Sequence, residues 1–118
     1  MSGFSNESFA KRWRAFSLME QLGNIGSEVD RLISWKRKNN DEFARNAFYR
    51  ALELLDLTID DPRWRGAKRK ELTRVREVLC DTFVGDNVYN TPPEFFSKYF
   101  FSFALAARRD RDKSEHHD

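Results

Sequence analysis

A chain of 118 residues is the size of one domain, long enough to bury roughly two-thirds of its unfolded surface, and a net charge of +2 gives it no global excess for a polyanion to read. One cysteine, Cys80, excludes an intramolecular disulfide framework and offers no CxxC pair for zinc; with no leader-like start and no apolar run near twenty residues, the expectation is a soluble protein of a reducing cytoplasm and not a membrane protein. The apolar fraction is only 40%, but eleven Phe and three Trp concentrate it in side chains that each remove about 150–250 Å² from water, so a packed core is expected.

No hairpin dipeptide joins two alternating runs and β-branched residues never cluster, so the elements are read as helices. The first is an N-terminal arm, residues 1–16, in which Phe9, Trp13 and Phe16 are spaced helically. These rings fall roughly opposite the stripe that follows, so either the chain bends at Ser17 or one helix has two apolar sides. "SLME" at 17–20 is a capping box, with the Ser17 hydroxyl and Glu20 carboxylate each able to satisfy an orphan N–H. From there Leu18, Leu22, Ile25, Val29 and Leu32 step four-three-four-three and share about 80° of arc, a stripe that faces a core. "KRKNND" at 36–41 ends it, and Asn40 or Asp41 can cap the next helix.

The second long helix is expected from about Glu42 to Ile59, with Phe43, Ala44, Ala47, Phe48, Ala51, Leu54, Leu55 and Thr58 on one broad side; "DDP" at 60–62 stops it. The third, about Ala67 to Phe83, gathers Leu72, Val75, Leu79, Thr82 and Phe83. Gly85, Asp86, Asn87 and Asn90 are turn formers, and Gly85 is placed to end this helix in a left-handed conformation. "TPPE" then reads as a second capping box, with Thr91 as N-cap, Pro92 first in the helix and Glu94 reaching back. On this fourth helix Phe95, Phe96, Tyr99, Phe100, Phe103, Ala106 and Ala107 share a side, while Phe101 and Leu105 fall opposite, one turn apart. The fold class is therefore all-α: an up-down-up-down four-helix bundle over residues 17–109, with the arm or an extra helical segment before it and a charged, frayed tail at 110–118.

The apolar residues that a bundle leaves in water, Phe9, Trp13 and Phe16 on the arm and Phe101 and Leu105 on the last helix, are candidate interface residues. The expectation is that these two surfaces cover each other, between copies in a homodimer or within one chain. A second candidate site is "RWRGAKRK" at 63–70: Arg63, Arg65, Lys68, Arg69 and Lys70 suit phosphates and Trp64 can stack on a base. Cations at a helix N-terminus gain nothing for the fold, which favours a function for them. A di-iron site is not expected, since there is no Glu-x-x-His and Glu53, Asp56 and Asp60 project from a polar face; no metal or other cofactor is implied. Cys80 has no positioned His to make it a nucleophile.

Near the end, Arg109 or Arg111 precedes His116 with six or four residues between, and an Arg–His pair on an all-helical dimer could cleave RNA, the imidazole moving the proton and the guanidinium holding the phosphate. A short helical bundle with this Arg-x4–6-His element resembles the HEPN superfamily. That resemblance implies a prokaryotic helical domain working beside a small nucleotidyltransferase, in some branches as an RNase through Arg109 or Arg111 with His116. The body of the chain, "SLMEQLGNIGSEVDRLISWKRKNN", "AFYRALELLDLTI" and "KELTRVREVLCDTFVGDN", is also similar to small prokaryotic all-helical proteins of about this length. Three functional readings follow: a non-enzymatic protein acting by association with itself and a partner, a HEPN-like RNase or toxin-type domain, and a nucleic-acid-binding module through residues 63–70.

Overall fold

Ser17 caps the helix that follows it as "SLME" predicts: the Glu20 N–H donates to the Ser17 hydroxyl at 3.1 Å and the Ser17 N–H to the Glu20 carboxylate at 2.9 Å. The computed structural model describes residues 7–115, with side chains described as far as residue 110. Among these residues there is no strand, and the helices are α1 (Glu7–Arg14), α2 (Leu18–Arg37), α3 (Asp41–Ile59), α4 (Ala67–Phe83) and α5 (Pro93–Glu115). The described residues are all-α, with residues 7–14 of the arm folded into a helix of their own.

Helix ends follow the local chemistry with three corrections. Asn40 caps α3 by accepting from the Phe43 N–H at 3.1 Å, so that helix starts at Asp41. The "TPPE" box does not form: the Thr91 N–H donates to Asn87 Oδ1 at 3.2 Å, the Glu94 carboxylate pairs with Arg37 of α2 at 3.1 Å, and α5 begins at Pro93. Gly85 is not left-handed. The positive φ values in this connection belong to Asn87 and Asn90, both 53°, and Gly85 is needed for closeness, since a Cβ there would stand 3.1 Å from the Asp81 Cα. The Asp81 carboxylate folds the connection back by accepting from the N–H groups of Val88 (2.7 Å) and Tyr89 (3.1 Å). At the other end of α5, residues 110–115, expected in a frayed tail, continue the helix.

Packing is closest between α2 and α5. A Cβ on Gly26 would stand 2.4 Å from the Phe100 Cβ, and one on Gly23 would stand 3.2 Å from the Ala104 backbone. Contacts further along, Asp30 with Ser97 at 2.9 Å and Arg37 with Glu94, show α2 and α5 antiparallel, since one number rises as the other falls. α3 returns along the other side of α2, with the Trp35 and Phe43 rings edge to face at 4.9 Å and Arg50 3.9 Å from Glu28. α4 closes the remaining side through side chains: Arg76 grips Asp56 of α3 at 2.7 Å, Tyr99 donates to Glu71 at 2.5 Å, and Phe83 meets Phe96. Into the space between go Leu22, Ile25, Val29, Leu32, Ala51, Leu55, Leu72, Leu79, Phe96 and Phe100, all essentially inaccessible to solvent. Each Leu or Phe so buried stabilises the fold by about 1.5–3 kcal/mol over leaving it exposed. Phe43, expected on the core side of α3, is instead 46% exposed behind its contact with Trp35.

α1 corrects the expectation for the arm. Trp13 is 4% exposed, its indole N–H donating to the Thr58 hydroxyl at 3.0 Å, so the arm packs on α2 and α3 of its own chain and not on the Phe101/Leu105 side.

Candidate interaction surface

Around Trp13 the chain buries polar atoms that satisfy one another. The Gln21 amide donates to the Trp13 carbonyl at 2.9 Å and accepts from the Trp64 indole at 2.9 Å; the Thr58 hydroxyl donates to the Leu54 carbonyl at 2.8 Å. Asp61 is 1% exposed, and its carboxylate is held by the Arg63 guanidinium (2.7 Å at the shortest) and the Arg63 N–H (3.0 Å). These bonds, led by the Arg63 side chain, hold the Asp61 carboxyl below the usual carboxylate range against the opposing pull of burial. Arg63 also donates to the Phe16 carbonyl at 3.0 Å and lies over the Trp64 ring at 4.5 Å. Four segments, α1, α2, α3 and the 60–66 connection, are thereby tied at one end of the molecule.

This divides the 63–70 cluster. Arg63 and Trp64, expected to face phosphate and base, are instead engaged as parts of that network, although the Arg63 side chain stays 41% exposed. Arg69 reaches the Asp61 carbonyl at 3.3 Å while its Nε is buried without a hydrogen bond, Arg65 bonds the Pro62 carbonyl at 3.0 Å, and Lys68 pairs with Glu71 at 3.5 Å beneath Phe103. Arg65 and Lys70 are both exposed with no ion pair among the described residues, but only Lys70 of the two stands on α4 itself, and Arg74, one turn on along that helix, matches it. Arg74 escaped the sequence reading because it lies outside the dense run; the spacing of four from Lys70 was the available signal. Gln21, Thr58 and Asp61 were also missed as a group, although Gln21 borders the Leu18–Leu32 stripe, where a polar side chain needs a buried partner.

The interface candidates divide in the same way. Trp13 is sealed, and Phe9 is half-buried with Arg12 over its ring. Phe16 remains 38% exposed and, with Met19, Gly23, Ala104 and Ala107, lines a groove of about 340 Å³ between α2 and α5. Phe101 is 61% and Leu105 40% exposed, on the side of α5 away from buried Phe96 and Phe100, as their 100° spacing requires. Both therefore stand on an outer apolar face, flanked by exposed Lys98, Ser102, Arg108 and Arg109.

Arg109 is exposed on the last described turns of α5. Gly23 faces Ala104 and Gly26 faces Phe100, so in this register the first residue of α2, Leu18, falls level with Arg109, and α5 runs past its neighbour from there. The side chain of Arg111 and all of His116 lie outside the described residues, so the Arg–His pair has no geometry to describe. Burial raises the Cys80 thiol above its usual range, which leaves it a poor nucleophile. Burial, and then hydrogen bonding to Glu71, raise the Tyr99 phenol, which stays protonated as a donor. Among the described residues no group of His, Cys, Asp and Glu could hold a metal ion, and no helix is long and apolar enough to cross a membrane. Compared with known proteins, the chain matches no family model, no curated protein and no solved structure.

Proposed function

We propose that this is a non-enzymatic helical interaction protein that pairs with a second copy of itself through the outer face of α5. The observation that carries the reading is the exposure of Phe101 and Leu105, one turn apart, on a helix whose opposite side already fills the core. A two-fold axis across antiparallel α5 helices sets Phe101 of each copy against Leu105 of the other, which removes both from water with one self-complementary patch. Charged Lys98, Arg108 and Arg109 form the solvated rim that such a patch needs. Within each copy we read α2 to α5 as an up-down-up-down four-helix bundle with α1 as its extra segment. The antiparallel contacts of α2 with α3 and α5, and of α4 with α3 and α5, support this. A reducing cytoplasm suits its single, half-buried Cys80 thiol.

Sedimentation of the full chain over a micromolar to millimolar series tests the pairing. The expected result is a dimer that dissociates in Phe101→Glu/Leu105→Glu with unchanged helical content. A wild-type chain that stays monomeric at the top of the series overturns the proposal. So does a dimer that the double variant leaves intact.

A further inference from the structure

The outward basic strip of α4 is not used by the α5 face and stands on a separate side. Lys70 and Arg74 are one turn apart, about 6 Å along the axis. With Gly66, Arg69 and Thr73 they line an open groove of about 480 Å³, which ends at Glu77. From Gly66 to Glu77 the helix rises about 17 Å. At the Arg74 end the Asp81 carboxylate, by holding the Val88 and Tyr89 N–H groups, brings Tyr89 beside the strip. The Arg74 guanidinium lies 5.3 Å from the centre of that ring, and Tyr89 is 50% exposed.

Ion pairing among the described residues does not account for this arrangement. α4 has no acidic residue in its first turn and no side-chain cap, yet Lys68, Arg69 and Lys70 crowd its positive end, where cations are unfavourable. Lys68 is compensated by Glu71, but Lys70 and Arg74 form no ion pair among the described residues. Tyr89 is likewise held by its backbone and not by burial of its ring. A row of uncompensated cations ending at an exposed aromatic ring complements a chain of phosphates that carries an unpaired base.

We propose that the α4 strip, Lys70, Arg74 and the Arg69 guanidinium with Tyr89 at its end, binds a short single-stranded stretch of nucleic acid. The cations track the phosphodiester backbone and the Tyr89 ring stacks on one base. A single strand is favoured over a duplex because only an unpaired base offers a face for Tyr89, and a strip about 17 Å long suits a flexible strand. The proposal does not rest on the dimer, since Phe101 and Leu105 take no part in it. It also moves the assignment of phosphate and base from Arg63 and Trp64 to exposed Lys70, Arg74 and Tyr89, with the half-buried Arg69 beside them.

Fluorescence anisotropy with an end-labelled mixed-sequence oligonucleotide, as RNA, as DNA and as a matched duplex, provides the test on the full chain. Three or four phosphate contacts predict that single-strand affinity falls roughly 20- to 50-fold between about 50 and 200 mM salt. Lys70→Gln/Arg74→Gln should lower the logarithmic salt slope by about 1.4, whereas Arg45→Gln on α3 should not change it. Tyr89→Ala should weaken binding at least about fivefold with the slope kept. The RNA and DNA arms report which sugar the strip accepts, and preference for either supports the site. No single-strand binding at the lowest salt, a slope unchanged in the double variant, or tighter binding of the duplex each overturns it.

Discussion

Asp61 is 1% exposed with Arg63 on both carboxylate oxygens, so its charge is part of the folded structure. Its carboxyl is depressed when folded, chiefly by the Arg63 hydrogen bonds, and returns to the ordinary carboxylate value when unfolded. The unfolded chain therefore binds the proton more readily. The stabilisation is complete above the unfolded value and is lost as pH falls through the usual carboxylate range towards the lower, folded one. Asp61→Asn should cost about 1–3 kcal/mol at neutral pH, because Arg63 and its N–H lose a charged acceptor. Urea unfolding at a series of pH values should show the gap to wild type narrowing below about pH 4. A gap that stays constant down to acid would mean that the Asp61 charge does not stabilise the fold. Arg63 and Trp64 were legible in the sequence only as a basic, aromatic cluster. Whether such residues face a ligand or their own chain depends on Gln21 and Asp61, brought to them from other segments, and spacing carries no such information.

The long helices were legible because each carries a dominant apolar stripe, and the limits at Ser17 and Ile59 follow a cap and a stop written locally. Where two side chains compete for one group, local reading failed: Glu94 reaches Arg37 on α2 in place of its own N-terminus, and Asn87 takes the Thr91 N–H. The close approach of α2 and α5 was not legible either, since Gly23 and Gly26 read as ordinary weak points in a helix. Their spacing of three sets both against α5, but unequally. A methyl on Gly26 meets the Phe100 Cβ at 2.4 Å, next to backbone that cannot swing away, whereas one on Gly23 meets Ala104 at 3.2 Å. Gly26→Ala should therefore lose about 1–3 kcal/mol even after the helix-propensity gain of up to about 1, and Gly23→Ala should stay within about 1 of wild type. Denaturant midpoints at unchanged slope check this. Equal, near-neutral effects would show that the helices separate freely at Phe100.

For the whole molecule, the decisive difference between sequence and structure is the fate of the arm. Helical spacing identified Phe9, Trp13 and Phe16 as rings needing cover, and the outer face of α5 was the only other apolar surface that spacing could offer them. The structure gives Trp13 a place against Thr58 and Leu54 within its own chain, and among the described residues it leaves the α5 face without an intrachain cover. Stability and the proposed association thus rest on different residues. Removing residues 1–16 takes away Trp13, the carbonyl that accepts from Gln21 and the Phe16 carbonyl that accepts from Arg63. Loss of a buried Trp alone costs about 3–5 kcal/mol, a large share of the roughly 5–15 kcal/mol that holds an ordinary domain together. The truncated chain should unfold at a much lower temperature, with weakened near-ultraviolet circular dichroism. Phe101→Glu/Leu105→Glu should melt close to the wild-type monomer while losing self-association. If the truncated chain instead melts with wild type and also becomes monomeric, α1 belongs to the interface and not to the core. That result would reverse the assignment of both surfaces.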